Sequence, residues 1–117
     1  MIGALLVGVG GAIGAVLRYL VGLSLSALDT RFPFDTLSVN VIGSFVLGWV
    51  TFVGAGEGVF LTIGIGACGA FTTFSSFSVD TVRLIEEDKP FLAGGYALSN
   101  IVLSVGSIGL AALIATS

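Results

Sequence analysis

Apolar residues run through this chain in four long blocks, and three short polar stretches separate them: DTRFPFD at Asp29–Asp35, GAGEG at Gly54–Gly58 and EEDKP at Glu86–Pro90. The blocks predict helices over about Ile2–Leu28, Thr36–Val53, Val59–Leu84 and Phe91–Ala115. Each block is close to the length of about 20 residues that a helix needs to cross a bilayer. Residues 1–117 therefore read as a single four-helix transmembrane unit, with no length left for a soluble domain.

The third block is not a uniform helix. At Gly64–Ser78 it reads GIGACGAFTTFSSFS. Gly64, Gly66 and Gly69 each cost about 1 kcal/mol of helix propensity relative to alanine. Thr72, Thr73, Ser75, Ser76 and Ser78 then bring hydroxyls that compete for backbone hydrogen bonds. Phe71, Phe74 and Phe77 recur at i, i+3, i+6. Non-helical backbone at membrane depth is tolerated only where protein buries it or where it lines a polar cavity. This stretch is the expected working part, and the third helix is expected to be broken there.

The first block is rich in small residues. Gly10 and Gly14 form a GxxxG pair, and Ala4, Gly8 and Ala12 form a parallel row. Such rows let helix backbones approach closely where lipid gives no hydrophobic drive for association. Arg18 interrupts this apolar span. An intramembrane charge is a functional candidate; the alternative is a side chain that snorkels to the interface. A charge attracting anions into a vestibule lies between the two.

Polar positions in the second and fourth blocks fall on single faces. Thr36, Asn40, Gly43, Ser44 and Gly48 share one by helical spacing. The Asn40 amide can bond a neighbouring helix or present its NH2 to an anion. Tyr96, Asn100 and Ser104 recur at i, i+4, i+8, a candidate polar track. Asp80 and Arg83, near the end of the third block, read as a solvated i, i+3 pair.

Composition fits these expectations. The chain is 56% hydrophobic and 9% charged, with mean hydropathy +1.15, whereas soluble domains carry about 25% charged residues. Met1–Ser26 lacks the basic start of a signal peptide, and its apolar run is too long for one. The absence of a basic run argues against nucleic-acid binding. With no His and one Cys, the common His- and Cys-rich metal sites are excluded. Cys68 reads as a small apolar packing residue.

The intramembrane inventory is thus Arg18, Asn40, the Thr/Ser/Phe stretch and the Tyr96–Ser104 row. No carboxylate is expected in mid-membrane, which counts against a small dimeric exporter of cationic compounds and against an acidic cation filter. A purely structural subunit would explain the glycines but neither the break nor the polar rows. An enzyme would need a base or nucleophile pair that is not visible. Neutral donors with phenyl rings, whose edges are positive, suit a small anion.

At these residues the chain resembles the CrcB/Fluc family of fluoride channels. The resemblance rests on GGAIGAVLRY at Gly10–Tyr19, TLSVNVIGSFVLG at Thr36–Gly48 and GACGAFTTFSSF at Gly66–Phe77, and it covers nearly the whole chain. It implies an all-α membrane protein of four transmembrane helices with a broken third helix, assembled as an antiparallel dual-topology dimer with two fluoride pores. It further implies that Phe74 and Phe77 line fluoride positions by their ring edges, and that Asn40 faces the pore. Tyr96, Asn100 and Ser104 would form a polar track, with Asn100 where a serine is expected, and Arg18 would stand near the vestibule. The break resembles a structural Na+ site, its ligands the backbone carbonyls of Gly69 and Thr72 from both subunits.

The implied role is passive export of cytoplasmic fluoride across the plasma membrane. HF enters neutral, ionises in a less acidic cytoplasm and is trapped as the anion. Arg31, Arg83 and Lys89 fall on the side of the first and third polar stretches, and no Lys or Arg falls on the other. The positive-inside tendency would place those stretches in the cytoplasm. That bias leaves two partners open: a second copy in inverted orientation, or an oppositely oriented paralogue.

Overall fold

The computed structural model describes residues 1–26 and 32–117. The expected end of the first helix at Leu28 lies outside the described residues, as do Asp29 and Arg31. The described chain is all helical: α1 (Ile2–Leu25), α2 (Phe34–Val53), α3 (Glu57–Val59), a π-helix (Phe60–Cys68), α4 (Gly69–Phe71), α5 (Phe74–Glu86) and α6 (Pro90–Thr116). The π-helix continues directly from α3 into α4, so Glu57–Glu86 makes the third of four apolar spans long enough to cross a membrane. Pro90 opens α6, where a missing N–H costs nothing. The longest dimension is 47 Å, which covers a hydrocarbon core of about 30 Å and reaches into both headgroup layers.

Packing is pairwise. α2 lies along α6, and α1 lies along the π-helix. Gly10 and Gly14, the GxxxG pair, are buried on α1. A Cβ at Gly10 would overlap the Thr62 carbonyl, and one at Gly14 the Ala67 carbonyl. The pair is therefore what brings the two backbones together. The parallel row of Ala4, Gly8 and Ala12 is exposed instead.

Large apolar side chains face outward. Leu5, Val9, Ile13 and Val16 of α1 and Leu98, Ile101, Val102 and Val105 of α6 are each more than half exposed. In water such continuous apolar surface would be intolerable; in a bilayer it is the solvent-matched face. The small core sits at one end of the molecule. Leu84, Ala93 and Tyr96 are buried there, with Phe32, Leu37, Phe77 and Leu92 packed around them. Phe32 and Leu84 thus bring the described flank of the first polar stretch beside the end of α5.

Candidate functional site

The site is built around two extended residues. Thr72 (φ −83°, ψ 160°) follows α4, and Thr73 (φ −150°, ψ 121°) precedes α5. Side chains hold both. Thr72 Oγ1 donates to the Cys68 carbonyl at 2.8 Å. The Ser76 N–H donates to Thr73 Oγ1 at 3.0 Å, so Thr73 caps α5. Asn40 clasps the Thr73 peptide from α2. Its Oδ1 accepts the Thr73 N–H at 2.8 Å, and its Nδ2 donates to the Thr73 carbonyl at 3.1 Å. The second Nδ2 proton goes to Asn100 Oδ1, at 2.9 Å. Gly43, one turn further along α2, leaves room for the Thr72 methyl, which a Cβ there would overlap.

These bonds have a consequence for the carbonyls. In a continuous helix the Thr73 N–H would serve the Gly69 carbonyl, and the Ser76 N–H the Thr72 carbonyl. Asn40 and Thr73 Oγ1 take those donors instead. Gly69 and Thr72 therefore keep carbonyl oxygens without their i+4 donors. Hard oxygen donors of this kind fit Na+, as unwound carbonyls do in other membrane proteins. No cluster of His, Cys, Asp or Glu suited to a metal occurs among the described residues, so backbone oxygen is the ligand type available here.

A groove of about 690 Å³ runs past the junction, lined by Asn40, Gly69, Thr72, Thr73, Phe74, Phe77, Asn100 and Ser104 among others. Phe74 is 78% exposed. Its ring lies 5.7 Å from that of Phe77, tilted by 48°. Ser104 Oγ is shielded from solvent and has no hydrogen-bond partner among the described residues.

Two expected members stand elsewhere. Tyr96 shares a helix face with Asn100 and Ser104, yet it has no exposed surface and does not line this groove. Its ring packs 5.7 Å from Phe77. Arg18 lines a separate groove of about 430 Å³ with Asp35, Thr36, Thr73 and Ser76. Its Nη2 donates to Ser76 Oγ at 2.6 Å, so the guanidinium turns toward α5 and does not snorkel. Thr73 borders both grooves.

Asp80 was the residue that sequence reasoning missed. It is paired with Arg83 at 3.5 Å, but only Arg83 is solvated; Asp80 is 9% exposed. Its Oδ2 accepts from Thr36 Oγ1 at 2.9 Å and from the Tyr96 hydroxyl at 3.1 Å. A buried carboxylate is costly unless it is paired and hydrogen-bonded, and here it is both. The expectation of no carboxylate within the spans is thereby corrected. The clue in the sequence was that Thr36 and Tyr96 each begin a polar row next to the polar stretches that flank Asp80.

Comparison with known proteins follows from this geometry. Residues 5–113 match the family described as CrcB-like protein, Camphor Resistance (CrcB). The fluoride-specific ion channel FluC 1 of Halobacterium salinarum is 50% identical over 111 residues, covering 95% of this chain and 92% of the relative. FluC 2 of Haloarcula marismortui is 50% identical over 107 residues, covering 91% and 87%. FluC 1 of Nocardia farcinica is 43% identical over 103 residues, covering 87% and 70%. With the match spanning all four apolar helices and the junction between α4 and α5, the chain belongs to the CrcB family.

Proposed function

We propose that this protein is a fluoride-selective passive channel that lets fluoride leave the cytoplasm and so limits its toxicity. The observation that carries this reading is the groove at the Thr72–Thr73 junction, where phenyl rings, an amide and an unpartnered hydroxyl converge without a carboxylate. The relatives named as fluoride-specific ion channels support it.

Fluoride is small and strongly hydrated, so a pore must replace its water. Ring edges of Phe74 and Phe77 offer positive C–H dipoles, and Ser104 Oγ offers an O–H with no competing acceptor. Arg18, in the neighbouring groove, raises the local concentration of anions. Once trapped inside, the anion is driven outward by the membrane potential, at about 2.3 kcal/mol per 100 mV. This is binding and release with no bond made or broken, so no catalytic residue is assigned.

The working unit is a dimer in the plasma membrane, with the second subunit inverted. A single chain leaves the groove and the outward apolar faces open, and a partner would close them. The partner is a second copy or an oppositely oriented paralogue. The carbonyls of Gly69 and Thr72 would hold Na+ as a structural ion, which when bound supplies positive charge where two junctions meet. A cation exporter is disfavoured, because Asp80 is committed to Thr36, Tyr96 and Arg83 and stays out of the phenylalanine groove.

The test is fluoride efflux from liposomes holding the purified protein, with valinomycin to balance charge and chloride as control. Rapid fluoride release unmatched by chloride, and slowed by Phe77→Ile, is the expected result. If release is absent alone and also with an inverted paralogue, the reading fails.

A further inference from the structure

We infer that Asn100, and not Asn40, supplies the side-chain N–H that meets the anion, while Asn40 is a positioning residue that fixes the direction of the Asn100 amide. The inference rests on the fluoride-channel reading and names the donor within that site.

The argument is a count of donors. An asparagine amide has two N–H donors and one oxygen acceptor. Asn40 uses both donors, on the Thr73 carbonyl and on Asn100 Oδ1, and its oxygen accepts the Thr73 N–H. Asn100 uses one donor, on the Tyr96 carbonyl at 3.2 Å. Among the described residues its second N–H is the one donor of this amide pair left uncommitted. Asn100 also lines the groove with Phe74, Phe77 and Ser104.

Orientation passes along the same bonds. An extended residue presents its own N–H and C=O to one side, as in a paired strand. Thr73 is extended, so it offers Asn40 a donor and an acceptor at once, and only one orientation of the Asn40 amide satisfies both. That orientation aims the remaining Asn40 N–H at helix α6, where only an oxygen can receive it. Asn100 must therefore turn Oδ1 toward Asn40 and Nδ2 away. The bent backbone thus sets one amide, which sets the next.

The chain contains two asparagines and no glutamine, so the side-chain amide region of a 15N spectrum reports only Asn40 and Asn100. The 15N-labelled protein in micelles is titrated with sodium fluoride against sodium chloride at equal ionic strength. Asn100→Ser identifies the signals by removing one pair. The expected result is that fluoride moves one Asn100 N–H proton downfield and leaves both Asn40 protons in place. In Asn100→Ser the shorter side chain no longer reaches Asn40, so the fluoride response transfers to an Asn40 proton. Asn100→Leu, which has no donor, lowers fluoride efflux by roughly tenfold or more.

A response confined to Asn40 in the wild type, an equal response of both amides, or none while efflux is fast would overturn the inference and leave the channel standing. Absence of fluoride efflux in the wild type would remove the channel reading and this inference with it.

Discussion

The Tyr96 hydroxyl donates to Asp80 Oδ2 at 3.1 Å, in a place where Tyr96 has no exposed surface. This bond joins α6 to α5, and Thr36 extends it to α2 through its own bond to the same oxygen. One carboxylate therefore ties three helices at the end of the molecule where the small core lies. Tyr96→Phe removes one bond to a charged acceptor and should cost about 2 kcal/mol. Asp80→Ala should cost more, because it leaves two buried hydroxyls without their acceptor. Thermal unfolding in detergent gives the ranking wild type, Tyr96→Phe, Asp80→Ala. An unchanged midpoint for Tyr96→Phe would show that the bond contributes nothing.

The two small-residue rows of α1 should respond differently to an added methyl. Gly10→Ala drives a Cβ into the Thr62 carbonyl, and the backbones must separate. Overpacking of this kind costs about 1–3 kcal/mol. Gly8→Ala meets no heavy atom within 4 Å in the chain. Gly10→Ala should lower the yield of monodisperse protein, and Gly8→Ala should not. An equal loss for Gly8→Ala would place a partner subunit on that row.

Arg18 should act through its charge. Arg18→Gln is expected to reduce fluoride efflux several-fold at low ionic strength. The deficit should shrink as salt rises, because the screening length falls from about 10 Å at 0.1 M to about 3 Å at 1 M. Ser76→Ala removes the Arg18 partner but keeps the charge, so it should reduce efflux less. A deficit in Arg18→Gln that is the same at both salt concentrations would argue for a packing role.

The four spans were legible because apolar block length is a strong signal in a chain with so few charges. The polar faces of α2 and α6 were legible for the same reason, since a lone amide or hydroxyl stands out among aliphatic neighbours. What the row on α6 does was less legible. Tyr96, Asn100 and Ser104 align by spacing, but spacing carries no information on what faces them. Tyr96 meets Asp80, Asn100 meets Asn40, and Ser104 meets the groove. Asp80 was hidden because an Asp–Arg pair near a helix end is ordinarily solvated, and only three-dimensional packing brings Thr36 and Tyr96 onto it. The π-helix was equally hidden. Gly64 and Gly66 lower the helix preference, yet the chain keeps helical winding through them and leaves it only at Thr72 and Thr73, where Asn40 and a hydroxyl cap compete for the backbone.

That competition gives the last prediction. In the wild type the Ser76 N–H goes to Thr73 Oγ1, which keeps the Thr72 carbonyl free of its helical donor. Thr73→Val keeps the shape of the side chain and removes this acceptor. Loss of the cap should cost about 1 kcal/mol. It should also release the Ser76 N–H to compete for the Thr72 carbonyl, the oxygen proposed to hold Na+. A ligand that binds only the folded protein stabilises it in proportion to the logarithm of its concentration. Replacing Na+ with N-methyl-D-glucamine should therefore lower the thermal midpoint of the wild type. The same replacement should lower that of Thr73→Val by less, since the variant binds Na+ more weakly. Midpoints that do not depend on Na+ in either protein would remove the ion from the account of the junction, while an equal dependence in both would free the Thr72 carbonyl from the control of the cap.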